Sequence, residues 1–306
     1  MFEKFIEKLV SKERFLTLET TPKHSPEFSS VLTEIEKYDL HKRVDGFSAT
    51  DNPLAKLKYS ALIASFKLQE RFKKPALATV SMRDRNKLAL QSDLLGANDI
   101  GVRAVLALTG DPASGSDQPK TKGVFEGNSN LLLDIVKCFN AGIDYAGKPL
   151  LEKPKKIYPF AVSNAYAKNP KNILKKMIQK IEHGAVGIIT QPVYDIENAK
   201  LLVELFERAK EEAKIKHNDP QLILGFFPVT KLRTAQFLTS HVPGVYVPPK
   251  WVDTLYRAKK ISEEEQERIG FALSLKTFRE IFSFHPKMHL MTANNFSLAD
   301  KLLRGL

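Results

Sequence analysis

The sequence predicts an α/β chain folded as a (β/α)8 barrel, one domain over residues 1–306, with a short N-terminal helix and an extension between the seventh and eighth strands. Three observations predict it. Short apolar runs alternate with longer stretches of helical period along the chain, and eight such runs are found in 306 residues, a length that suits one large barrel. Runs such as Ala104-Val-Leu-Ala-Leu108 are apolar without alternation, as in strands covered on both faces. A doubly wound open sheet is the alternative, but no Gly-x-Gly-x-x-Gly follows the first strand.

The elements follow in order. Residues 1–10 alternate charged and apolar side chains at helical spacing. A strand over 15–19 precedes a helix over 26–38, and a strand over 44–49 precedes a helix over 53–72 that opens with Pro53, a residue suited to a first helical position. Strand 76–82 leads to a helix around 86–95. Strand 104–108 leads, after a long loop, to a helix over 128–140. Strand 157–162 is followed by helix 170–183, strand 186–190 by helix 196–213, and strand 222–227 by helix 231–240. The extension begins at 245–251 and continues into a helix over 262–282. Strand 288–292 and helix 296–303 close the series. Residues 148–156 are a loop rather than a linker, because the strand–helix rhythm resumes at once.

Composition narrows the class. The chain is 43% hydrophobic and 27% charged, as soluble globular proteins are, and no apolar run approaches the length of a membrane helix. The N-terminus has no continuous apolar signal core, so a cytoplasmic location is expected. Cys138 is the only cysteine, which excludes an intrachain disulfide or a cysteine-ligated cluster. The net charge is +12, but the lysines are scattered without interleaved aromatic and arginine residues, so nucleic acid is not the expected partner. The excess charge suits an anionic ligand.

On a barrel, chemistry collects just past the strand C-termini. Glu19, Thr50 with Asp51, Arg83 to Arg85, Thr109 with Asp111, Ser163 with Asn164, Gln191, and Asn294 with Asn295 occupy those places. Histidines are missing from this set. His285 and His289 are four apart, but Pro286 argues against a helical metal pair, and His289 is expected as a packed strand residue. No metal is expected, and no Gly-x-Ser-x-Gly elbow occurs. Carboxylates and amides at strand ends suit proton transfer and binding of a polar heterocycle.

Leu18-Glu19, Phe47-Ser48-Ala49-Thr50, Leu108-Thr109-Gly110-Asp111, Gly184-Ala185 with Ile189-Thr190-Gln191, and Phe227-Pro228-Val229-Thr230 fall in order at strand ends. In this the chain resembles the methylenetetrahydrofolate reductases over nearly its whole length. The segment Ser81-Met82-Arg83-Asp84-Arg85-Asn86 resembles a divergent bacterial branch. The resemblance implies an oxidoreductase that reduces 5,10-methylenetetrahydrofolate to 5-methyltetrahydrofolate by hydride transfer from a reduced flavin, usually FAD, recharged by NADH or NADPH. It implies catalytic roles for Glu19, as general acid, and Asp111, near flavin ring and pterin. It places the cofactor on Thr50, Asp51, Thr109, Gly110, Asp111, Asn172, Lys176, Lys180 and Ala185, and the folate on Asp111, Gln191 and Leu232. Asn172, Lys176 and Lys180 are spaced by four and share one helix face.

Three departures from the family pattern bear on the cofactor: Thr109 where arginine is usual, Val162 where tyrosine is frequent, and Asn294-Asn295 where an Asn-Arg pair is frequent. They leave open flavin-free transfer from NADH, or another flavin- or nicotinamide-dependent barrel oxidoreductase. A homo-oligomer or an electron-transfer partner subunit is the expected assembly.

Overall fold

Alternate residues of each strand face two different interiors, and both must be filled. The computed structural model describes residues 1–214 and 219–306. Strands β1 (Phe15–Thr20), β2 (Gly46–Ala49), β3 (Ala76–Ser81), β4 (Ala104–Leu108), β5 (Tyr158–Ser163), β6 (Gly187–Pro192), β7 (Gln221–Phe226) and β8 (Lys287–Leu290) form a closed barrel in sequence order. The seam is parallel, with Phe15 opposite Lys287 and Thr17 opposite His289.

Helix α1 (Phe2–Val10) precedes β1. After β1 come α2 (Ser29–Lys37) and α3 (Leu40–Arg43), and α4 (Ala61–Phe72), α5 (Lys87–Asp99), α6 (Ser129–Ala141), α7 (Pro170–Glu182) and α8 (Ile196–Glu212) each follow one strand. Between β7 and β8 lie α9 (Leu232–His241), α10 (Pro249–Lys259) and α11 (Glu263–Phe284), and α12 (Phe296–Arg304) ends the chain. No described helix is long and apolar enough to cross a membrane.

Outward-facing Leu16, Leu18, Phe47, Leu224, Phe226 and Leu290 belong to one core shared with the surrounding helices. Val80, Val105, Ala107 and Ala161 join a second core with Leu90 of α5 and Leu132 of α6. Inward-facing residues form a third. At the N-terminal end of the barrel Phe15, Leu77, Phe160, Ile189 and Ile223 pack with Phe2, Phe5 and Leu9 of α1. The Phe5 ring lies 4.9 Å from that of Phe15 and 6.4 Å from that of Phe160. The amphipathic first helix is therefore a stopper for the barrel floor. Towards the C-terminal end the inward residues become polar, with Thr17, Ser48, Thr79 and His289 all buried.

The element order agrees with the sequence reading, and two segments correct it. The helix expected over 53–72 is broken: Pro53–Ala55 form a single 3₁₀ turn, and α4 starts only at Ala61, where the Ser60 side chain accepts from the Ile63 N–H. Asn52, Leu54 and Ala55 have φ of 42°, 55° and 58°, a left-handed path that no α-helix can follow. The extension from 245 is helical from Pro249, since that proline takes the first turn of α10.

Replacing Phe5, which is 4% exposed, with alanine should cost about 3–5 kcal/mol, the usual loss for a buried phenylalanine. Urea denaturation monitored at Trp251 measures it, and a loss below about 1 kcal/mol would contradict the stopper role.

Candidate active site

A cleft of about 950 Å3 opens over the C-terminal ends of the strands, within the range of small-molecule sites. Its floor is the polar layer of the barrel interior. Glu19, near the end of β1, is half-buried, with Oε2 at 3.9 Å from Nε2 of His289 on β8. The other ring nitrogen, Nδ1, lies 2.7 Å from Thr17 Oγ1, and Ser48 Oγ lies 3.4 Å from Nε2. One imidazole thus joins β1, β2 and β8. His289 is a packed strand residue, as expected, but it also lines the cleft. The signal for it was parity: with Met288 and Leu290 facing outward, residue 289 must face the barrel interior.

Gln191 lines the same cleft because it shares the inward parity of Ile189. The β6–β7 register shifts between Ile189 and Pro192. Gly225 permits it: a Cβ there would lie 2.2 Å from the Thr190 carbonyl oxygen, while its N–H donates to Thr190 Oγ1 at 2.9 Å.

Asp111 sits just past β4, beside Gly110, whose φ of +96° and lack of a side chain let the turn press against Ser81. Asp111 Oδ2 accepts the Leu54 N–H at 2.7 Å. Arg83 Nη2 donates to the Asn52 carbonyl at 3.0 Å, so two cleft residues hold the left-handed loop after β2. Asp51 is buried in an ion pair with Arg85 at 2.6 Å and accepts the Ser81 N–H at 3.0 Å. Strained backbone of this kind persists where surrounding contacts over-determine it.

The opposite wall is cationic. Lys180 is 9% exposed, donates to Ser129 Oγ at 2.6 Å and to Asn130 Oδ1 at 2.5 Å, and has no carboxylate at ion-pair distance among the described residues. Burial, with the nearby charge of Lys176, pushes its pKa down to about 8. Asn128, Ser129 and Asn130 open α6 and line the cleft beside Lys176 and Lys180. A helix N-terminus with a buried lysine is an anion site. Five buried side-chain atoms lack a hydrogen-bond partner among the described residues, and two of them, Thr50 Oγ1 and Thr292 Oγ1, belong to residues of the cleft wall.

Glu19, Thr50, Asp51, Thr109, Gly110, Asp111, Lys176, Lys180 and Gln191 are therefore gathered in one cleft. Three expected site residues are not. Asn172 is exposed on the first turn of α7, too early on the helix to face the cleft with Lys176 and Lys180. Ala185 is buried in the apolar core at the turn into β6, at the opposite end of the barrel from the strand C-termini. Leu232 packs into the outer core, leaving its neighbours Lys231 and Arg233 at the cleft.

A closed (β/α)8 barrel with a cleft over its strand C-termini is the architecture in which barrel enzymes hold their ligands. Within that class the chain belongs to the methylenetetrahydrofolate reductase family, whose model matches residues 4–306. Among solved structures, it is similar to a Clostridium thermocellum protein described as binding two copies of 5-methyl-5,6,7,8-tetrahydrofolic acid, 15% identical over 98% of this chain and 99% of that one, with a TM-score of 0.63. An F420-dependent secondary alcohol dehydrogenase is 11% identical over 96% and 98%, with a TM-score of 0.60. The long-chain alkane monooxygenase LadA is 8% identical over 96% and 90%, also with a TM-score of 0.60. At these identities the likeness concerns the barrel alone. Comparison with curated proteins found no match.

Affinity for a probe pyrophosphate, ADP, should fall as pH rises through about 8, because Lys180 then loses its proton in the free protein. Lys180→Met should weaken ADP binding about tenfold and flatten that pH dependence. Calorimetric titration across pH tests both, and an unchanged profile in the variant would remove Lys180 from the anion site.

Proposed function

We propose that this protein reduces 5,10-methylenetetrahydrofolate to 5-methyltetrahydrofolate, with Glu19 as proton donor and a bound flavin as hydride source. The observation that carries the reading is the Glu19–His289–Thr17 cluster at the floor of a cleft that also presents Asp111 and Gln191. Family membership supports it, as does the folate held by the Clostridium thermocellum protein.

The cleft fits a flavin dinucleotide. Lys176, Lys180 and the first residues of α6 would hold a pyrophosphate. When bound, the flavin supplies a hydride that no side chain can provide. NADH or NADPH, or a partner subunit, would supply the electrons. The remaining work falls to the protein. Glu19 gives a proton to the folate nitrogen that leaves as the methylene bridge opens, producing the iminium that accepts hydride. His289, held by Thr17 and Ser48, would place an imidazole nitrogen 3.9 Å from the Glu19 carboxylate. Asp111 accepts from the amino group of the pterin. Gln191, offering both a donor and an acceptor, pairs with an amide-like ring edge. Association into a homo-oligomer or with an electron-transfer subunit would accompany this chemistry.

A second reading, direct hydride transfer from NADH without flavin, is favoured by Thr109. Its hydroxyl already accepts the Ser129 N–H at 3.2 Å, so it is turned towards α6 rather than free for a ligand. The absorption spectrum separates the two: flavin bands near ~450 nm that bleach with NADH support the first, and a colourless protein that oxidises NADH with folate supports the second.

Glu19→Gln should lower turnover of methylenetetrahydrofolate by about 10²–10⁴-fold while leaving the Kd of 5-methyltetrahydrofolate within a few-fold. Full turnover by this variant would refute the acid role.

A further inference from the structure

Arg83 is a cleft residue that the proposed reaction leaves without a task. Its side chain is 2% exposed, and its guanidinium is only partly used. Nε donates to Asp84 Oδ1 at 2.6 Å, and Nη2 donates to Asp84 Oδ2 at 2.6 Å and to the Asn52 carbonyl at 3.0 Å. Nη1 has no partner among the described residues, yet it is not one of the unpartnered atoms sealed from solvent. Arg83 lines the cleft.

Its neighbour is Asp111. A Cβ placed on Gly110 would lie 2.9 Å from the Cβ of Arg83, so the arginine stem runs against the Gly110–Asp111 turn. The Asp111 carboxylate is close enough for its charge to act on the guanidinium. Asp111 uses Oδ2 for the Leu54 N–H, and Oδ1 accepts nothing among the described residues. A donor with no partner, Nη1, and an acceptor with no partner, Oδ1, thus share one wall. That pair complements a ring edge on which an oxo group stands beside an N–H or amino group.

We propose that Arg83 is a specificity-determining residue, whose Nη1 donates to the 4-oxo oxygen of a pterin while Asp111 accepts from the adjoining N–H. This rests on the folate reading of the cleft. It explains why a guanidinium enters from β3 when the residue before Gly110 is Thr109. The arginine is held rigid by Asp84 and Asn52, so little freedom is lost when it meets the ligand. A ligand with a 4-amino group would set donor against donor and be rejected.

The test compares binding of 5-methyltetrahydrofolate and of its 2,4-diamino analogue, in which an amino group replaces the 4-oxo oxygen, with FAD titrated separately. Calorimetry on the full chain is run for the parent, for Arg83→Met/Asp84→Asn, which avoids leaving the Asp84 charge without its partner, and for Arg83→Lys, which keeps a cation beside Asp84 and serves if the double variant does not fold. The parent should prefer the oxo compound by about tenfold or more, and the preference should fall to near one in the variants with the FAD affinity unchanged. A preference that survives in the variants overturns the proposal. So does an equal weakening of both folates accompanied by a lower Tm, which marks a structural role, and so does a loss confined to FAD, which assigns the edge to the flavin ring. A parent that binds folate with Arg83-dependent preference but turns none over overturns the catalytic reading and leaves this one standing. A parent that binds no folate overturns both.

Discussion

Everything above the floor of this barrel depends on how one buried imidazole is satisfied. Below it the interior is filled by phenylalanines and aliphatic side chains closed off by α1. At its level the strands bring in Thr17 and Ser48, which are as buried as any core residue. Buried polar atoms without partners cost about 1–3 kcal/mol each. His289 spares Thr17 and Ser48 that cost by bonding to both, and its Nε2 lies 3.9 Å from the Glu19 carboxylate at the floor of the cleft. The donor and acceptor roles of Thr17 and Ser48 follow from which ring nitrogen of His289 carries the proton.

A second shell of charge determines the shape of the wall. Arg83 pairs with Asp84, and Arg85 pairs with Asp51 and Asp93, around the end of β3, with Asp51 and Arg83 buried. Charged pairs of this kind contribute little to stability when measured against apolar replacements, but they fix geometry. Here the geometry they fix is the loop over Asn52 to Ala55, whose left-handed residues would otherwise relax. Asp111 and Arg83 serve the loop with one atom and face the cleft with another, so wall and ligand site are made of the same groups.

The barrel was legible because its signal is redundant: each apolar run reports burial on both faces, and the alternation with helices repeats eight times. The cleft residues at strand ends were legible for the same reason, since position after a strand places Glu19, Asp111 and Gln191 without any knowledge of the loops. What failed depended on direction rather than position. Asn172 lies on the correct helix, one turn too early. Ala185 lies beside the correct strand, at its wrong end. The break after Pro53 was hidden because a proline that can begin a helix can equally begin a single turn, and the backbone strain that ends the turn is imposed by Asp111, 57 residues away. His289 is legible as a packed strand residue, and the same packing brings it to the cleft.

The seam between β1 and β8 has a consequence for folding. Thr17 and His289 are separated by 272 positions, so their buried contact forms only when β8 docks against β1. A chain with β1 to β7 assembled is an unclosed cylinder whose strand edges stay exposed until β8 joins them. Closing the ring over so long a loop is slow by its nature.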